Sequence, residues 1–104
     1  MEPEAGKGGR PASAALAQIR ALEGASGRDI AELSAALQAR RTRLAPETVR
    51  VIEENLRTID RAIQEAQAAL AADPGNQRPA HTILAMYMRK IDLLQQAVRL
   101  PEGG

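Results

Sequence analysis

Residues 49–70 read VRVIEENLRTIDRAIQEAQAAL. Within them Val49, Ile52, Leu56, Ile59, Ile63, Ala66 and Leu70 follow one another at alternating steps of 3 and 4. That spacing puts all of them on one face of an α-helix, as a coiled-coil a/d seam about three heptads long. The outer face is polar. Glu53 with Arg57, and Arg61 with Glu65, stand four residues apart, a spacing at which opposite charges support a helix by a few tenths of a kcal/mol per pair.

Both ends of this stretch carry boundary signals. Pro46 suits a first helical turn, where its missing N–H would have no partner in any case. Asp73-Pro74-Gly75-Asn76 is a stop: Pro74 pushes Asp73 out of helical geometry, and Gly75 tolerates a turn conformation. The helix is therefore expected over about 46–72, some 40 Å long at about 1.5 Å per residue. Asn76 is positioned to cap the next helix, with Pro79 tolerated in its first turn. That helix is expected over about 77–99, with a stripe of Ala80, Leu84, Tyr87, Ile91, Leu94 and Val98.

Two long amphipathic helices joined by a short Pro-Gly turn lie antiparallel, stripe against stripe. Met86, Met88, Leu93 and Leu100 widen the stripe of the second helix beyond what one partner covers. The cover is sought upstream, or in a second copy of the chain. Asp29 and Glu32 have capping-box spacing. Ile30, Leu33, Leu37 and Leu44 continue at helical steps, with Arg40 standing where a further apolar member would fall. A covering helix is expected over about 29–43. Before it, ASAALAQIRALE (12–23) offers only Leu16, Ile19 and Leu22 before Gly24. A helix that short is marginal by itself, so 12–28 reads as a short, frayed helix and linker. Residues 1–11 and 101–104, rich in Gly, Pro and charge, read as a disordered leader and tail. The fold class that follows is all-α: a long antiparallel, coiled-coil-like hairpin, one additional packed helix over 29–43, and a frayed N-terminal helix. No internal repeat of fixed period occurs.

Composition agrees with this reading. The chain has 104 residues, 44% of them hydrophobic, and Tyr87 is its one aromatic. The core must therefore be aliphatic, and strand-favouring runs of β-branched and aromatic residues are missing. Cysteine is absent, which removes disulfides, thiolate metal sites and a cysteine nucleophile. Fourteen Lys plus Arg against thirteen Asp plus Glu leave a net charge of +1, with no general pull toward nucleic acid or anionic lipid. No apolar run reaches membrane-spanning length, and the first residues lack the apolar core of a signal peptide.

No catalytic, cofactor-binding or metal-ligating set emerges, and an enzyme is not expected. His81 has only Asp73 near it in sequence, so it reads as a surface or cap histidine. Glu53 and Glu54 point about 100° apart on a helix, and Arg57 lies between Glu53 and Asp60, which describes a solvated charged face. No Glu-x-x-His pair exists for a di-metal bundle site. Gly8-Gly9 has no strand before it to make a phosphate loop, and Ser13, Ser26 and Ser34 have no base. Arg40, Arg41 and Arg43 form one basic cluster, a candidate contact patch for phosphate or an acidic partner. It sits at a helix end where cations favour the dipole, and no aromatic interleaving points to nucleic acid.

The stretch from Asp29 to Leu100 resembles the C-terminal extracytoplasmic helical domain of bacterial membrane-tethered anti-sigma factors. The resemblance is carried by LAPETVRVIEENLRTIDRAIQEAQAALAADPGN (44–76) and RKIDLLQQAVRL (89–100). Its pattern is a Pro-started helix, an Asn-Leu-x-x-Ile-Asp core, the Asp-Pro-Gly-Asn turn and a Lys-x-x-Leu-Leu finish. Neither the zinc-binding domain nor the transmembrane helix of such regulators is in this chain, and Ala45 stands where a capping Asp would be expected. The resemblance implies the sensory or spacer part of a transcription regulator on the periplasmic side; without a tether, a cytoplasmic protein is the expectation. AIQEAQAALAADPGN (62–76) is also similar to the closing helix and turn of a tetratricopeptide hairpin, without that family's opening-helix Leu-Gly and Tyr positions.

The function expected from these features is a non-catalytic helical protein–protein interaction module; the alternative is a coiled-coil assembly element that self-associates. Expected partners are protein helices, of another protein or of a second copy in a homodimer, with no cofactor, no membrane insertion by this chain and no nucleic acid. The surface expected to carry contacts, or else to form the core, is the seam Val49, Ile52, Leu56, Ile59, Ile63, Leu70, Leu84, Tyr87, Ile91, Leu94 and Val98.

Overall fold

The structure, a computed structural model, describes residues 3–102, with side chains from residue 17 onward. Three helices make up the fold: α1 (Pro3–Arg40), α2 (Pro46–Ala72) and α3 (Gln77–Val98), with a 3₁₀ turn at Arg41–Arg43 between the first two. No strand occurs among the described residues. The fold is all-α, with the antiparallel α2–α3 hairpin covered by α1. No helix here is long and apolar enough to cross a membrane, among the described residues.

The hairpin boundaries fall close to where the sequence puts them. Pro46 is in the first turn of α2, after Ala45 as an N-cap without a side-chain hydrogen bond. At the far end the Asp73 N–H donates to the Ala69 carbonyl at 3.0 Å and the Asn76 N–H to the Asp73 carbonyl at 3.1 Å. Asn76 Oδ1 then accepts from the Arg78 N–H at 3.0 Å, capping α3. Pro79, which gives up no helical hydrogen bond so near the start, is buried.

Upstream the structure corrects the expected layout. One uninterrupted helix replaces the leader, the short helix with linker, and the separate helix at 29–43. From Pro3 onward the residues read as a leader are backbone of α1; Met1 and Glu2 lie outside the described residues. The reason is visible in the inward face. Ile19, Leu22, Ser26, Ile30, Leu33 and Leu37 form one stripe at helical steps, with buried Ser26 standing in for an apolar member. Gly24 and Gly27 are exposed, and a Cβ at either would meet nothing within 4 Å. They weaken the helix without ending it. Asp29 and Glu32 are exposed mid-helix residues, not a capping box. At the other terminus Glu102 lies 3.6 Å from both Arg40 and Arg43, so the expected disordered tail is tied down at this point; Gly103 and Gly104 are outside the described residues.

Ile19 shares an apolar cluster with Ala66, Leu70, Ala80 and Ile83, while Leu37 shares one with Leu44, Val49, Ile52, Leu94 and Ala97. The register follows: α1 is antiparallel to α2 and parallel to α3. α3 packs closely against both other helices, whereas the backbones of α1 and α2 stay apart. The molecule is accordingly elongated and flattened, 64 × 21 × 13 Å.

Candidate interaction surface

The predicted seam divides between two roles. On α2, Val49, Ile52, Ile59, Ile63, Ala66 and Leu70 are buried, and Leu56 is half-buried against the cluster around Leu94. On α3 the stripe is rotated from the expected one. The two side chains with 0% exposure are Leu94, a predicted member, and Ile83, which was not one. Ala97, also not predicted, is buried, while Leu84, Tyr87, Ile91 and Val98 are only half-buried. The physical reason is that α3 has two neighbours. Its most buried line runs between two stripes, through Ile83, Leu94 and Ala97, and the expected stripe lies to one side of that line. A second apolar row at helical spacing, Ile83, Met86, Leu93 and Ala97, was the available signal; the charged Lys90 interrupts it.

Midway along the bundle, beside the buried Ile59 and Ile63 of α2, a set of polar side chains ties the helices together. Lys90 Nζ donates to Asp60 Oδ1 at 2.7 Å, between α3 and α2. Tyr87 Oη donates to Glu23 Oε2 at 2.9 Å, and Gln67 Nε2 donates to the same oxygen at 3.0 Å. Glu23 thus ties α1 to both other helices. Partial burial, then the hydrogen bond to Glu23 and the charges of Glu23 and Asp60, push the Tyr87 phenol from 10.0 up to about 12.

The basic cluster is engaged within the chain. Arg40 donates to the carbonyls of Val98 and Leu100 and lies 3.5 Å from that of Ala97. A guanidinium at a helix C-terminus satisfies carbonyls that have no helical partner and complements the helix dipole. Arg40 therefore fills the gap in the apolar stripe as a clasp on the end of α3. Arg41 reaches Glu53 at 3.1 Å, which draws Glu53 away from the intrahelical Arg57 pairing expected from spacing. Arg43 donates to the Ala39 carbonyl at 3.2 Å. Arg40 is partly buried at the bundle end, while Arg41 and Arg43 make their intrachain contacts from the exposed surface.

His81 is exposed, and no group of three or more His, Cys, Asp or Glu side chains gathers for a metal among the described residues. A shallow groove between α2 and α3, floored by Ile59 and Leu93, is rimmed by Asn55, Thr58, Arg89 and Asp92. Among the described residues two large apolar side chains stand well exposed, Met88 at 66% and Val51 at 47%. Met88 has company. Half-buried Leu84 and Ile91 lie four before and three after it, one ridge along α3 outside both core clusters. Leu84 and Ile91 belong to the predicted seam, and Met88 to the residues expected to widen it. Compared with models of known families, with curated proteins and with solved structures, the chain matches none of them.

Proposed function

We propose that the protein is a non-catalytic helical interaction module that presents the Leu84–Met88–Ile91 ridge of α3 to a helix of another protein. The observation that carries this reading is the exposure of Met88 between two half-buried aliphatic neighbours. An i, i+4, i+7 set is how a helix offers an apolar edge to a partner helix. Methionine, unbranched and polarizable, adapts to such a partner at low cost. The sensory or spacer part of an anti-sigma-factor-like regulator is the more specific form of the same proposal, supported by the resemblance of segments 44–76 and 89–100.

Self-association as an assembly element is the second reading. The α2 seam is buried against α1 and α3 within one chain, which leaves the α3 ridge as the surface offered to a second copy in this reading. A photo-crosslinking residue at position 88, compared with one at exposed Gln64, separates the readings in cells of the source organism. The module reading predicts a heterologous protein adduct at position 88 and none at 64. An adduct of twice the chain mass supports self-association, and the same adducts at both positions would contradict the ridge.

A further inference from the structure

The middle of α1, from Ala17 to Arg28, is held differently from the C-terminal segment Ile30–Arg40. Its inward side chains are Ile19, Leu22, Glu23 and Ser26; of these only Ile19 joins a core cluster. Ser26, 4% exposed, occupies a place in the stripe that an aliphatic side chain would fill. Gly24 and Gly27 flank it, and neither is required by packing, since a Cβ at each would point into open space. Each glycine lowers helix stability relative to alanine. Glu23 contributes polar ties to Tyr87 and Gln67 that water can replace. The C-terminal segment of α1 has buried Leu37, with Ile30 and Leu33 packed against the same cluster, and ends on the Arg40 clasp.

We infer that Ala17–Arg28 is a releasable strap, which opens from the hairpin while Ile30–Arg40 stays docked. Opening uncovers Leu70, Ala80 and Ile83 together with Tyr87, an apolar surface shaped for a helix because α1 itself lies there. The occupant that fits the vacated place is an amphipathic helix with an aliphatic side chain where Ser26 stands and no glycine beside it. Such a helix would replace the strap by bringing burial that the strap lacks. That use of the opening rests on the interaction-module reading; the opening itself is a property of the chain alone.

Native-state hydrogen exchange on the full chain tests it without any partner. Amides of residues 20–28 should exchange at least about tenfold faster than those of 31–40, since local opening frees one set and not the other. The double variant Gly24→Ala/Gly27→Ala should slow residues 20–28 by about ten- to thirtyfold, from the propensity difference of two helical glycines, and leave 31–40 within about twofold. Equal protection along α1, or equal slowing of both segments, would overturn the strap and leave the module reading to the crosslinking result.

Discussion

At the end of the bundle where α1 passes into α2, Leu37, Leu44, Val49, Ile52, Leu94 and Ala97 close into one cluster, with Ile30, Leu33, Leu56, Val98 and Leu100 against it. At the end where α2 turns into α3, the cluster among the described residues is Ile19, Ala66, Leu70, Ala80 and Ile83, with Tyr87 against it. Among the described side chains, the first end takes Ile30, Leu33 and Leu37 from α1 and adds the Arg40 clasp, and the second takes Ile19. Between them lies the layer of Glu23, Gln67, Tyr87, Asp60 and Lys90. The difference teaches that one continuous helix need not be one unit of stability. α1 is geometrically unbroken, yet among its described side chains, from Ala17 onward, the larger aliphatic set packed into the core lies in Ile30–Arg40, and buried area governs how firmly each part is held.

The largest effect that would break this comparison comes from matched truncations. Leu94→Ala, at a fully buried site shared by all three elements of its cluster, should cost about 2–5 kcal/mol in denaturant unfolding. Ile19→Ala should cost less than about 1.5 kcal/mol, because release of the strap limits what the rest of the fold loses. Equal losses at the two sites would mean that both ends are held alike. Next in size, Arg40→Ala should cost about 1–3 kcal/mol, by leaving the last carbonyls of α3 without their charged donor. The same variant should raise exchange at Val98–Leu100 more than anywhere near Tyr87.

A smaller change in the opposite direction is expected at Ala45. Ala45→Ser supplies the cap side chain that α2 lacks and should stabilise by about 0.5–1 kcal/mol, read as a raised melting temperature. The smallest effect concerns the polar layer. The Tyr87 phenol is raised in the folded state, from 10.0 to about 12. Its contribution is therefore fully present below pH 10 and fades as pH rises toward 12. Following the phenolate absorbance should place the midpoint well above an ordinary tyrosine. Glu23→Gln should bring it part of the way back, since partial burial, the largest cause, remains. An unchanged midpoint in that variant would remove Glu23 from the layer.

The hairpin was legible because its signals are local and agree with one another. The α2 seam has no polar interruption, Pro46 opens the helix, and Asp73 to Asn76 close it. α1 falls into pieces in the sequence because Gly24 looks like a stop, Asp29 and Glu32 have capping-box spacing, and the stripe that joins the pieces has polar Ser26 as a member. Tertiary packing decided otherwise. On α3 the expected stripe assumed a single partner; a central helix with two neighbours buries the line between two stripes, which brought Ile83 and Ala97 inward. Arg40 was seen as a gap in an apolar row, but its role as a clasp depends on where α3 ends in space, and no spacing within α1 encodes that. Of the candidate surface, Met88 was visible as apolar excess, while Leu84 and Ile91 stood in the expected seam. Which of them faces solvent depends on the angle at which α1 lies against α3.

Tyr87 is the chain's only aromatic residue, so its fluorescence reports the contact between the strap and α3, while far-ultraviolet circular dichroism reports all three helices. Equilibrium denaturation of the full chain followed by both signals tests the unequal ends most directly. The Tyr87 transition should come at lower denaturant than the main loss of helix, and Gly24→Ala/Gly27→Ala should draw the two together. Coincident transitions in the unaltered protein, the mark of all-or-none unfolding, would contradict it.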